Sequence, residues 1–144
     1  MPVKDRYHEN VKNALIKDGW RITDDPLHLK WGDKDMYVDL AAERLIVAER
    51  GQERIAVEIK TFGGASDVVS LEQAIGQYCV YRAVMEETQR NYLLYLAVHA
   101  EAFFDVLDEP LGRLLLRKYE IPVIVFDPER EVILEWIHWN TTDT

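Results

Sequence analysis

A long helical run held between two apolar, strand-like runs constrains this chain more than any other feature. Val69, Ala74, Ile75, Tyr78 and Val84 recur at helical spacing from a start at Ser66 or Asp67, either able to cap, to about Glu87. Before this run lies Arg54 to Lys60, and after it the apolar stretch Asn91 to Val98. A helix of such length between two strands predicts a right-handed crossover, with the second strand parallel to the first. The remaining elements must be arranged around that parallel pair.

Ahead of it, Tyr7, Val11, Ala14 and Leu15 mark an amphipathic helix over Asp5 to Lys17, with Gly19 as its stop. Short runs follow at Trp20 to Thr23 and Leu27 to Trp31, with Asp-Asp-Pro turning between them, then at Met36 to Ala41, Leu45 to Glu49 and Arg54 to Lys60. The pattern predicts an antiparallel meander with a hairpin at Gly51. Behind the parallel pair come helices at Ala100 to Leu107 and Leu111 to Tyr119, broken at Pro110. A closing hairpin joins Pro122 to Phe126 with Glu131 to Trp139 over Asp127-Pro128. With no repeat or linker, residues 1–144 read as one domain, a mixed sheet flanked by helices. The closing strand carries Val132, Leu134 and Trp136 on one face and Ile133, Ile137 and Trp139 on the other. It is expected either as a central strand or, at an edge, as a homodimer or partner surface.

Composition narrows the functional classes. Cys79 is the only cysteine, so no disulfide framework exists, and an unpaired thiol suits the cytoplasm. No stretch reaches the ~20 apolar residues of a membrane span, and no secretory leader is seen, so no membrane partner is expected. The net charge of -9 argues against a protein that coats nucleic acid indiscriminately. Residues 1–60 nevertheless hold 12 acids against 11 bases, whereas residues 61–144 hold 14 against 6, so a surface facing a polyanion belongs to the first part.

Chemistry concentrates at Ile55-Ala56-Val57-Glu58-Ile59-Lys60. Alternation puts Ile55, Val57 and Ile59 on one face and Glu58 with Lys60 on the other. The same logic turns Val38 and Leu40 towards a core and Asp39 away from it. If the strands are neighbours, Asp39, Glu58 and Lys60 converge on one patch; otherwise they form an ordinary solvated charge cluster. Two carboxylates with a carbonyl between them suit Mg²⁺, and a lysine beside that ion can orient a water for attack on a phosphodiester.

Asp39, the Glu58-x-Lys60 pair and Gln77-x-x-x-Tyr81 on the following helix resemble the PD-(D/E)xK, restriction endonuclease-like superfamily over about residues 5–98, with Val38 standing where the superfamily name has Pro. More narrowly, Ala56-Val57-Glu58-Ile59-Lys60-Thr61-Phe62, Gly76-Gln77-Tyr78-Cys79-Val80-Tyr81-Arg82 and the ending Ile133-Leu134-Glu135-Trp136 are similar to the XisH family. That family is named for a factor controlling excision of the fdxN DNA element during heterocyst differentiation in cyanobacteria. The resemblance implies an α/β, restriction endonuclease-like mixed sheet flanked by helices, with Mg²⁺ or Mn²⁺ as cofactor. It implies DNA, an XisI-like protein and a site-specific recombinase as partners. It also implies Asp39, Glu58 and Lys60 as catalytic residues and Asp39 and Glu58 as metal ligands, with Glu9 completing the metal set; alternatively Glu9 is an exposed helix glutamate beside Lys12 or Asn13. Gln77 and Tyr81, at i and i+4, contact a DNA backbone or brace Lys60, unless Tyr81 is a core residue with a satisfied hydroxyl.

His8, His28, His99 and His138 lack zinc spacing and read as structural or surface residues. Cys79 reads as a small buried hydrophobe, and Gly63-Gly64 lacks a nucleotide-binding pattern. Two functions are expected to compete. One is a metal-dependent DNA endonuclease supporting element excision; the other is a catalytically inactive nuclease-fold regulator acting through protein partners.

Overall fold

A computed structural model describes residues 5–46, 51–63, 66–89 and 91–139. The element order is α1 (His8–Lys17), β1 (Arg21–Asp24), β2 (Leu27–Trp31), β3 (Lys34–Val38), β4 (Leu40–Ile46), β5 (Gly51–Ile59), α2 (Asp67–Thr88) and β6 (Tyr92–His99). Next comes α3 (Ala100–Ala102), running on into a π-turn (Phe103–Leu107), then α4 (Pro110–Lys118), β7 (Val123–Asp127) and β8 (Val132–Ile137). Six strands form one mixed sheet in the order β1-β4-β5-β6-β7-β8, while β2 and β3 pair separately. The expected parallel pair is present: β5 runs parallel to β6, with Val57 opposite Tyr95, and β6 runs parallel to β7. Helix α2 links the first two strands, capped where Val69 N–H donates to Ser66 Oγ at 3.3 Å.

Period-two alternation sorts the core onto the two faces of this sheet. Leu40, Ile55, Val57, Ile59, Tyr95, Ala97 and Ile124 face α1, packing against Val11, Leu15 and Trp20. Ala56, Leu94, Leu96, Val98, Val123 and Val125 face the other way, under Leu71, Ile75 and Tyr78 of α2, Leu27 and Leu29 of β2, and Leu116 of α4. The middle strands are covered on both faces, as a parallel sheet requires. Helix α1 is also tied to the end of the chain. Asn10 donates to Pro128 O at 2.9 Å and to Glu131 at 3.1 Å, Asn13 to Glu131 at 3.1 Å, and Lys17 to Arg130 O at 2.9 Å. Among the described residues, no helix is long and apolar enough to cross a membrane.

Several expectations are corrected, and one left open is decided. The run Met36 to Ala41 is not one strand: the chain leaves the β2–β3 hairpin at Val38 and enters the main sheet at Leu40, with Asp39 in a bend between them. Asp39 spends its N–H and carboxylate on β5 rather than on a strand ladder, which breaks the pairing there. Helix α1 starts at His8 rather than Asp5, because Asp5 accepts the Tyr7 N–H on its side chain at 2.9 Å and the His8 N–H on its carbonyl at 3.0 Å. Residues 103–107 form a π-turn, with the Asp108 N–H reaching Phe103 O at 2.8 Å. Finally, β8 is an edge strand. Its two-sided apolarity arises because Ile133 and Trp136 pack on the α1 side and Ile137 on the other, while Leu134 is 51% exposed beside an irregularity in the register. The hairpin turn is not at Gly51 over residues 50–53 as expected: Gly51, Gln52 and Glu53 pair with Ile46, Leu45 and Arg44 as the start of β5, and the connection falls on residues 47–50, outside the described residues.

Helix α4 begins with Pro110 in its first turn, where a missing N–H costs nothing. Two residues on, within the same first turn, a Cβ on Gly112 would stand 2.5 Å from Leu107 O and 2.6 Å from Val106 O. Backbone cannot yield there as a side-chain tip would, so Gly112→Ala should destabilise the protein by about 2 kcal/mol or more in urea unfolding.

Candidate functional site

The site forms where the end of β5 meets the bend before β4. Leu40 pairs with Val57, which brings Asp39 alongside Glu58 and Ile59. The Ile59 N–H donates to Asp39 Oδ2 at 2.7 Å, and the Asp39 N–H donates to Glu58 Oε1 at 3.4 Å. Each carboxylate is thus aimed by the other segment's backbone. Alternation does send Glu58 away from Ile59, but not into solvent: it is only 5% exposed, beneath α2.

Two acids confined this way resist double ionisation. Burial first, and then the negative charge of Asp39, push Glu58 up to about 8, against the opposing pull of Lys60. Burial also raises Asp39, opposed first by the Ile59 N–H and then by His8. The pair therefore holds a proton near neutrality. A divalent cation with a preference for hard oxygen donors can replace that proton and relieve the same repulsion, so this donor set fits Mg²⁺ or Mn²⁺.

Lys60 follows one residue along, its N–H on Ala97 O at 3.0 Å, and its ammonium lies 3.5 Å from Glu58 Oε2. The ammonium also donates to Gln77 Oε1, and Gln77 Nε2 reaches the Tyr81 hydroxyl at 2.8 Å. Lysine, glutamine and tyrosine form one hydrogen-bonded line across β5 and α2, made possible by the i, i+4 spacing on the helix. Tyr81 is buried, and burial followed by the negative charge of Glu58 pushes its phenol up.

The structure therefore brings together Asp39, Glu58, Lys60, Gln77 and Tyr81. Glu9 sits on the exposed side of α1, where its carboxylate, His8 and Asp25 offer ligand atoms within 4.8 Å of one another. From this side, His8 and Asp5 are the groups whose charges act on Asp39. His8 is buried, with Nε2 2.6 Å from Asp25 Oδ1, and Lys12 holds the other Asp25 oxygen at 2.8 Å. Burial would raise Asp25, but the Lys12 and His8 contacts outweigh it and hold the carboxyl below its ordinary range. Asp5 receives the Thr61 hydroxyl at 2.9 and 2.8 Å, fastening the residue after Lys60 to the start of α1.

Sequence reasoning set His8 aside with the other histidines and missed Asp5, Asp25 and Thr61. One signal was present: His8, Val11 and Leu15 lie at i, i+3 and i+7, which puts His8 on the buried stripe of α1. The other histidines lie elsewhere. His28 pairs with Asp35 at 2.7 Å, His138 meets the Tyr95 hydroxyl, and His99 Nδ1 accepts the Ala102 N–H at 3.4 Å. Cys79 is half-buried.

Comparison with known proteins supplies the lineage. Residues 1–134 match the family model described as XisH protein. The crystal structure of an XisH family protein from Nostoc punctiforme is 35% identical, covers 92% of this chain and 99% of its own, and superposes with a TM-score of 0.82. That of a fdxN element excision controlling factor protein from Anabaena variabilis is also 35% identical, covers 93% and 99%, and gives 0.83. No curated protein matches. The match spans both segments that build the site, and on this extent of similarity the chain belongs to the XisH family.

Proposed function

We propose that this XisH family member is a Mg²⁺- or Mn²⁺-dependent DNA phosphodiesterase of the restriction endonuclease-like kind, acting in the controlled excision of a DNA element. One observation carries the reading: Asp39 and the buried Glu58 are locked side by side through backbone hydrogen bonds at the end of β5, with Lys60 fixed beside them by Gln77. Asp39 and Glu58 would hold the cation, with a backbone carbonyl as a further hard oxygen donor. When bound, that cation supplies Lewis-acid polarisation of the phosphoryl group and neutralises its developing charge. Lys60, restrained by Gln77, orients the attacking water and donates to a phosphate oxygen. Tyr81 holds Gln77 in turn. Element excision enters because one of the relatives is named a fdxN element excision controlling factor. An XisI-like protein and a site-specific recombinase are the partners this role requires.

A second reading has its own support. With a net charge of -9 and only 6 bases after residue 60, the chain offers few phosphate anchors, which favours a regulator that works through protein contacts. Calorimetric titration of Mg²⁺ or Mn²⁺ into the wild type and the Asp39→Ala/Glu58→Ala variant, with linear and branched DNA assayed alongside and with the partner protein added, separates the two. The nuclease reading expects metal binding and cleavage, both lost in the variant. Absence of both from the wild type in every setting would leave the regulator.

A further inference from the structure

Next to the carboxylate site, at the carboxyl ends of β5 and β6, lies a cavity of about 430 Å³ that the proposed chemistry does not use. It begins at Thr61, which follows Lys60 and is tied through Asp5 to the electrostatics of Asp39. Its volume lies within the range of small-molecule sites. The walls have two characters. Tyr7, Phe62 and His99 provide ring surface, with the Tyr7 and His99 rings 4.9 Å apart and Tyr7 backed by Phe126 at 5.8 Å. Asp67, Glu101 and Asp105 provide carboxylates, and Arg6, its guanidinium 4.9 Å from the Tyr7 ring, is the only cation among the described lining residues.

Rings and acids together select against a phosphate as occupant, since three carboxylates repel it. They suit a flat, neutral, hydrogen-bond-donating ring system. Among the parts of a DNA strand that is a nucleobase, which stacks on aromatic side chains and donates its exocyclic amine to Asp or Glu. Inside a duplex those amines are paired and both faces are stacked, so only an unpaired base can enter. Because His99 Nδ1 accepts the Ala102 N–H, Nε2 is the ring nitrogen that can donate to a base carbonyl.

We infer that this cavity binds an unpaired nucleobase bearing an exocyclic amine, next to the phosphate presented to Asp39, Glu58 and Lys60. The inference rests on the proposed nuclease reading for its purpose, but its test does not. Deoxycytidine 5′-monophosphate, deoxyguanosine 5′-monophosphate, thymidine 5′-monophosphate and deoxyribose 5-phosphate are titrated separately into metal-free ¹⁵N-labelled protein while the amides of Phe62, Gly63 and Ala102 are followed by NMR. The amine-bearing nucleotides should shift these amides, thymidine 5′-monophosphate should bind several-fold more weakly, and the sugar phosphate should leave them in place. His99→Ala should weaken binding about tenfold, as expected for removing a stacking partner. Glu101→Ala/Asp105→Ala, changing only exposed side chains, should abolish the preference over thymidine while the fold is retained. Equal shifts with deoxyribose 5-phosphate, no shift with any nucleotide, or an undiminished preference in the double variant would overturn the inference. Binding without any cleavage would remove only the nuclease reading, and cleavage without pocket binding only this one.

Discussion

Lys60→Ala should lower metal-dependent cleavage by about 10³-fold while leaving cation affinity close to that of the wild type. A positioned acid–base or charge-stabilising side chain contributes roughly 10²–10⁴-fold to such reactions. Lys60 stands 3.5 Å from Glu58 with only a quarter of its side chain exposed, so water cannot replace its fixed charge. The fold should survive, because what the ammonium touches is Glu58 and Gln77 rather than the core. Gln77→Ala acts through Lys60 and should cost less, about tenfold, with Lys60→Arg failing to restore the rate because a planar fork does not fit the Gln77 contact. Single-turnover cleavage of a labelled oligonucleotide, set beside calorimetric metal binding, reads both quantities. Equal loss of metal binding and rate in Lys60→Ala would place the lysine in site assembly rather than in the chemical step.

The second large effect is on stability and needs no substrate. Burial and Asp39 raise Glu58 from 4.5 to about 8, so the folded chain holds this proton more tightly than the unfolded one. The stabilisation linked to that proton is fully present below about pH 4.5 and is lost as pH rises through about 8, in the metal-free protein. Asp39 is raised too and contributes with the same sign. Glu58→Gln carries no such proton. It should flatten the pH profile between 5 and 8 and, above that range, make the metal-free protein more stable than wild type by up to about 5 kcal/mol, roughly 15 °C in Tm. Adding Mg²⁺ at pH 8.5 should stabilise the wild type and leave the variant unmoved. Thermal unfolding across pH, with and without the cation, tests this; a wild-type profile as flat as that of the variant would contradict it.

Much of this arrangement can be read along the chain, and the failures have physical causes. The parallel β5–β6 pair follows from one long helix between two apolar runs; Val38 and Leu40 are both fully buried, but on opposite sides of the main sheet rather than on the one face that alternation assigns them. Alternation assigns a face, however, not what covers it. Nothing local to Glu58 tells a solvated charge cluster from a covered site, and only the fold shows it to be a buried acid. The same limit explains β8, where apolar residues on both faces report contact on both sides and say nothing about position in the sheet. Asp39 reads as mid-strand because Val38 and Leu40 flank it in perfect period, and only the long-range hydrogen bonds to β5 reveal the break. His8 needed the Asp25 turn, 17 residues away, before it had a partner.

The bonds joining α1 to the β7–β8 turn carry a consequence for synthesis. Asp39, Glu58, Lys60 and Gln77 find one another within neighbouring stretches of chain, the separations being 19 residues for Asp39 with Glu58 and 17 for Lys60 with Gln77. Asn10 and Asn13 must wait for Glu131, respectively 121 and 118 residues later. A ribosome therefore releases the carboxylates and their lysine long before it releases the clasp that seats the first helix against them. Until the last hairpin emerges, Asp5 and His8 belong to a segment without its final anchor, and the nascent protein carries a site whose wall is still open.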